Sequence, residues 1–178
     1  EISECLVGSE MCIRDRRDGG YVNDWDFGHS TITGIYKRLE AAGADYIEVG
    51  FLDDRREFDI NRSIMPSTEA INKIFGSVKK GKAIPVAMID FGTCSLDSIG
   101  SCDSTFIDGI RVIFKKEKID QALPFCKAIK EKGYKLFIQA ISITAYSDIE
   151  MLEYVNRINE IKPCLLYTSD AADDLIGV

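Results

Sequence analysis

The stretch GIRVIFKKEKIDQALPFCKAIKEKGYKLFIQAISI, residues 109–143, holds one complete strand–helix–strand unit. GIRVIF (109–114) is a short apolar run rich in β-branched residues, which reads as a strand. Ile119, Ala122, Leu123, Cys126 and Ile129 then recur at helical spacing, and Gly133 stops the helix. KLFIQAISI (135–143) reads as the next strand. Strands apolar along most of their length, each followed by an amphipathic helix, imply parallel strands covered by those helices.

The same alternation extends in both directions. Upstream lie the strand AIPVAMIDF (83–91), with Pro85 near its start, a helix marked by Ala70, Ile71, Ile74 and Phe75, and the strand YIEVGF (46–51). Before them a helix runs from His29, with Ser30 as the expected cap, Ile32, Ile35, Tyr36 and Leu39 on one face, and Gly43 past its end. Downstream, a capping box from Ser147 to Glu150 opens a helix expected to turn Ile149, Leu152, Val155 and Ile158 inward and to end before Pro163. The count is four strands and five helices, with a short helix-like stretch near Cys94 and Cys102 where these thiols pack as small hydrophobes. No glycine-rich phosphate loop joins a strand to a helix, which disfavours an open dinucleotide-type sheet and favours a barrel. A full (β/α)₈ TIM barrel takes roughly 250 residues. Residues 17–163 therefore read as a partial barrel, about half of it, lacking its first strand and later units.

Composition narrows the function classes. At 46% hydrophobic and 29% charged, the chain is an ordinary globular one. No apolar run spans a bilayer and no signal-peptide order appears, so the expectation is a cytoplasmic protein without a membrane partner. Of the net charge of −7, residues 1–16 carry −2 and residues 164–178 carry −3. The nearly balanced middle offers no basic footprint for nucleic acid. Six cysteines without a Cys-x-x-Cys pair, and a single histidine, His29, argue against zinc and suit a reducing compartment. The ends, ECLVGSEMCIRDR (4–16) and CLLYTSDAADDLIGV (164–178), resemble translated sequencing-adapter read-through, so residues 1–16 and 164–178 are expected to be artefactual or disordered tails around a domain at 17–163.

RDGGYVNDWDFG (17–28) followed by YIEVGFLDDRREFD (46–59) resembles the metallolyase barrel superfamily named for its Asp-Arg-Glu signature, and within it the 4-hydroxy-2-oxovalerate aldolase branch. The resemblance implies that Arg17 and Asp18 close the first strand at the catalytic end of the barrel, with Asp18 ligating a divalent cation, Mn²⁺ or Mg²⁺. Splitting a carbon–carbon bond beside a 2-oxo acid generates a pyruvate enolate, whose oxygen needs fixed positive charge from a guanidinium and a metal. Glu48 is the third signature position. An acid within an apolar parallel strand needs a partner, and Arg17 is the expected one, so Glu48 is read as orienting Arg17 or the metal site. Tyr21 stands where the branch places a histidine base and becomes a candidate proton donor or acceptor. The His-x-His pair that completes the branch's metal site has no counterpart in the sequence, so the 178-residue chain alone is expected to be inactive.

Each sharp reading has a bland one beside it. RDGG alone is a polar turn, and gains meaning only with Glu48 downstream. His29 reads as a solvated residue at a helix start. Arg55 and Arg56, in the charged loop after YIEVGF, are either substrate-binding residues for a small-molecule 2-oxo acid or members of a mutually paired solvated loop. The expected function is that of a fragment of a metal-dependent aldolase. The alternatives are an acyl-CoA/2-oxo-acid condensing transferase of the same superfamily and a non-catalytic binding barrel. A half barrel would leave two strand edges and an apolar interior uncovered, so homo-oligomerisation or a partner subunit is expected.

Overall fold

In the computed structural model, residues 20–168 are described. Ten regular elements follow one another: α1 (His29–Ala41), β1 (Tyr46–Leu52), β2 (Ile64–Met65), α2 (Thr68–Phe75), β3 (Ile84–Asp90), β4 (Gly109–Phe114), α3 (Ile119–Glu131), β5 (Lys135–Ala140), α4 (Asp148–Asn159) and β6 (Leu165–Thr168). Every strand pairing is parallel, in the order β2-β1-β3-β4-β5-β6. Apart from the two-residue β2, each strand lies beside the next in sequence. That serial order is the winding of an α/β barrel, whereas a doubly wound sheet reverses direction partway.

The helices cover one face. Ile47 and Val49 of β1, Ala87 and Ile89 of β3, Ile110, Val112 and Phe114 of β4, and Leu136, Ile138 and Ala140 of β5 join Tyr36, Ile71, Phe75, Ala122, Cys126, Ile129 and Ile158 in one core. The opposite face is concave and filled. Tyr46 of β1 and Phe137 of β5 meet edge to face at 5.3 Å between ring centroids, although β3 and β4 lie between their strands. A flat sheet would put those strands ~14 Å apart, so the sheet curls. Gly109 permits it, because a Cβ there would come within 2.8 Å of the Phe137 ring and 3.3 Å of Val86. Val86, Met88, Ile113 and Phe137 are all buried. The expectation of an uncovered apolar interior is therefore corrected.

Other departures have local causes. The helix α1 begins at Gly28, whose φ of 79° suits glycine, and Ser30 does not cap it. The first N–H, of His29, is instead taken by Asn61 Oδ1 at 3.2 Å from a distant loop. His29 is not simply solvated, since its Nε2 donates to the Ile74 carbonyl at 2.9 Å and ties α1 to α2. The Ser147–Glu150 capping box of α4 is present as read. Ile149 and Leu152, however, are 72% and 63% exposed, and Tyr154, Ile158 and Ile161 turn inward. The helix is rotated because Tyr154 packs against Phe114 and Tyr146. Between β3 and β4 the chain makes two 3₁₀ turns, Leu96–Ser98 and Cys102–Ser104, where a short helix-like stretch was expected. The sheet also runs past Pro163, for Leu165–Thr168 pair with β5 over Phe137–Ala140, and the rest of the expected tails lies outside the described residues. Among the described residues no helix is long and apolar enough to cross a membrane.

Candidate functional site

Alternation along a strand sorts the concave face into layers. Starting from the amino ends of the strands, Glu48 is level with Val86 and Gly109. Met88, Arg111 and Phe137 form the next layer, and Asp90, Ile113 and Gln139 the last, at the carboxyl ends of the strands. This last layer is the end at which α/β barrels carry their chemistry.

A buried ion pair crosses the middle of the face. Arg111 Nη2 lies 2.6 Å and its Nε 2.8 Å from Glu48 Oε2, and the two side chains are only 7% and 8% exposed. The guanidinium also donates to Gln139 Oε1 through Nη1 and contacts Met88 Sδ at 3.2 Å. One arginine thus touches side chains from β1, β3 and β5 while standing on β4. A charge this deep is tolerated only with such matched partners. The sequence holds the signal, since GIRVIF places one cation in an apolar strand just as YIEVGF places one anion. Arg17, the partner expected for Glu48, lies outside the described residues, as does Asp18.

The segment after Asp18 packs at the carboxyl end of β1. Tyr21 is half exposed and stands edge-on to Trp25 at 4.9 Å, and Trp25 packs 6.2 Å from Phe51. A Cβ on Gly20 would run into the Trp25 indole, so glycine is required at that position of the RDGG segment. Asp24 and Trp25 hold φ of 55° and 58°, a conformation costly for side chains of this size and concentrated at functional or tightly constrained turns. Trp25 is locked there by its N–H to the Gly20 carbonyl at 3.0 Å and by the Ser63 N–H to its own carbonyl at 3.0 Å.

The charged loop after β1 is largely self-paired. Asp53, 4% exposed, accepts Arg55 Nε at 2.7 Å and Nη2 at 2.6 Å, which lowers the Asp53 pKa even though burial opposes it. Arg56 and Arg62 share Asp24, at 3.3 Å and 2.6 Å. Asp54 accepts the Ser95 N–H and the Ser98 hydroxyl, pinning the loop after β3. Arg55, Arg56 and Arg62 still border an open depression of about 630 Å³ with Phe58, Ile60 and Ile64. Beside this loop Asp90 has its carboxyl pKa raised, loss of hydration outweighing the attraction of Lys118, Arg55 and Lys115.

Among the described residues no three His, Cys, Asp or Glu side chains come together as metal ligands would. The described residues alone thus do not supply a cation's ligand set. Cys94 and Cys126 are buried thiols pushed up to about 12 by burial, inert core members and not nucleophiles. Compared with protein-family models and with curated proteins, the chain matches none.

Proposed function

We propose that this chain is part of a carbon–carbon lyase of the aldolase type, cleaving a 4-hydroxy-2-oxo acid to pyruvate and an aldehyde. In that reaction a base takes the C4 hydroxyl proton, the C3–C4 bond breaks, and its electron pair moves into the C2 oxygen as an enolate. Protonation at C3 then completes pyruvate. The reading rests on the likeness of RDGG and IEVGF to the aldolase branch. One observation carries it furthest: Glu48, the signature acid, is buried in an ion pair on the concave face of a serially wound parallel sheet. The strained turn at Asp24 and Trp25, which follows the RDGG segment, packs at the carboxyl end of the same strand. In this reading Arg17 stabilises the enolate, Glu48 positions neighbouring polar groups, and Tyr21 exchanges a proton with the substrate. Asp18 contributes to holding Mn²⁺ or Mg²⁺, which supplies Lewis-acid stabilisation of the enolate when bound.

The test is pyruvate release from 4-hydroxy-2-oxopentanoate, read by coupling to lactate dehydrogenase, with protein expressed from its natural reading frame. Release stimulated by Mn²⁺ or Mg²⁺ and lost in Asp18→Ala is the expected result. Consumption of acetyl-CoA with a 2-oxo acid, without pyruvate release, would move the assignment to a condensing transferase. No turnover together with no divalent-metal binding by calorimetry would leave a non-catalytic barrel.

A further inference from the structure

The layer at the carboxyl ends of the strands differs from those beneath it in one respect. Deeper in the face Glu48 and Arg111 are matched to each other, whereas at this end two polar groups are left open. Gln139 is 6% exposed and its Oε1 accepts from Arg111, which fixes the amide so that Nε2 carries its two N–H donors elsewhere. Among the described residues nothing accepts them, and nothing donates to the Asp90 carboxylate. Asp90 and Gln139 flank Ile113 at one level, on strands two apart. The buried Ile113 side chain between them is an apolar floor.

We propose that Asp90 and Gln139 are the two polar ends of a subsite for a small hydroxylated oxo acid. The Gln139 amide donates to the carboxylate or oxo oxygen, and Asp90 accepts the hydroxyl. The inference rests on the aldolase reading for its ligand class, and it deepens that reading by naming residues that grip the substrate. Arg111 backs the arrangement, because a guanidinium donating to Oε1 polarises the amide and strengthens its N–H donors. Asp90 is exposed at this end of its strand, so its carboxylate is open to accept a substrate hydroxyl.

Metal-free binding of 2-oxopentanoate and of 4-hydroxy-2-oxopentanoate to the 178-residue chain, by calorimetry or saturation-transfer NMR in EDTA, separates the roles. Gln139→Glu keeps the shape and the contact to Arg111 while exchanging donors for an acceptor. It is expected to weaken both ligands at least ten-fold without lowering the unfolding midpoint. Gln139→Met serves as a second test should the first variant fold poorly. Asp90→Ala is expected to weaken only the hydroxylated ligand, also by about ten-fold, close to 1.4 kcal/mol. A Gln139 that merely braces Arg111 would let Gln139→Glu bind as wild type, which overturns the proposal. So would equal losses for both ligands in Asp90→Ala, or no binding of either ligand by the wild-type chain. The cleavage assay above reads the reaction itself, so failure of this subsite and failure of the aldolase assignment are told apart.

Discussion

Replacing Arg111 by methionine removes the cation that Glu48 meets at 2.6 Å and strips Gln139 of a donor. Both members of the pair are more than nine-tenths buried, so solvent screens them little. Deleting one partner of such a pair costs about 3–5 kcal/mol, because the desolvation penalty of the other stays while this attraction is lost. Against a total stability of roughly 5–15 kcal/mol for a domain, that is about a fifth or more of what holds the fold. In urea, with a slope of about 2 kcal/mol per molar, the unfolding midpoint should drop by roughly 2 M. Converting both residues, Glu48→Met with Arg111→Met, should recover most of the loss, since apolar replacements of similar volume often equal a buried ion pair. About 1 kcal/mol should remain missing for the Gln139 hydrogen bond. The assay is equilibrium unfolding of the four proteins of the double-mutant cycle. A single variant costing under about 1 kcal/mol, or a double variant whose loss is the sum of the singles, would refute the account of Glu48 and Arg111 as one buried unit.

Two further outcomes follow from the geometry. Gly109→Ala puts a methyl within 2.8 Å of the Phe137 ring, and overpacking of this kind should cost about 1–3 kcal/mol by thermal unfolding; no measurable cost would mean that the sheet is not curled as described. At the start of α4, Glu150 has its carboxyl pushed down to about 2, chiefly by the hydrogen bond from Lys116 and then by those from Ser147. A depressed folded-state value means that its stabilisation is present above the ordinary carboxylate range and lost as pH falls. The stability gap between wild type and Glu150→Gln should therefore be open at pH 7 and close between about pH 4 and pH 2, and a gap that widens on acidification contradicts the assignment. Ser147→Ala at the same cap should cost about 1 kcal/mol at neutral pH.

How far the sequence could be read depended on the range of the interactions concerned. The stripe of α3 was legible because Ile119, Ala122, Cys126 and Ile129 face a sheet formed by the strands on either side of the helix, and all four are buried. The capping box of α4 was legible because both halves lie within four residues. The rotation of α4 was not, since Tyr154 is drawn inward by Phe114 and Tyr146, and apolarity alone ranked Ile149 and Leu152 above a tyrosine. The true partner of the first N–H of α1 was invisible for the same reason, Asn61 being 32 residues away. Of the expected site, Glu48 stands out in the sequence by its signature position and by its discord with an apolar strand. Arg111, just as discordant, was passed over because no motif pointed to it.

The polar residues of the concave face follow from the curl of the sheet. Charges facing a flat sheet would stay in water and need no partners, but here Tyr46 and Phe137 close over the face across two intervening strands. Closure removes solvent from whatever lies between, so any charge there must be matched within the protein. Glu48 and Arg111 meet that condition, and the guanidinium also contacts Gln139 Oε1 and Met88. The condition relaxes toward the carboxyl ends, where Asp90 is exposed and water or a ligand can complete the hydrogen bonds. An unmatched donor and an unmatched acceptor at that level are therefore compatible with stability only where something from solution can reach them. In the proposed subsite a substrate entering from the carboxyl end meets these groups before it meets the closed pair, and the Arg111–Gln139 hydrogen bond joins the two layers.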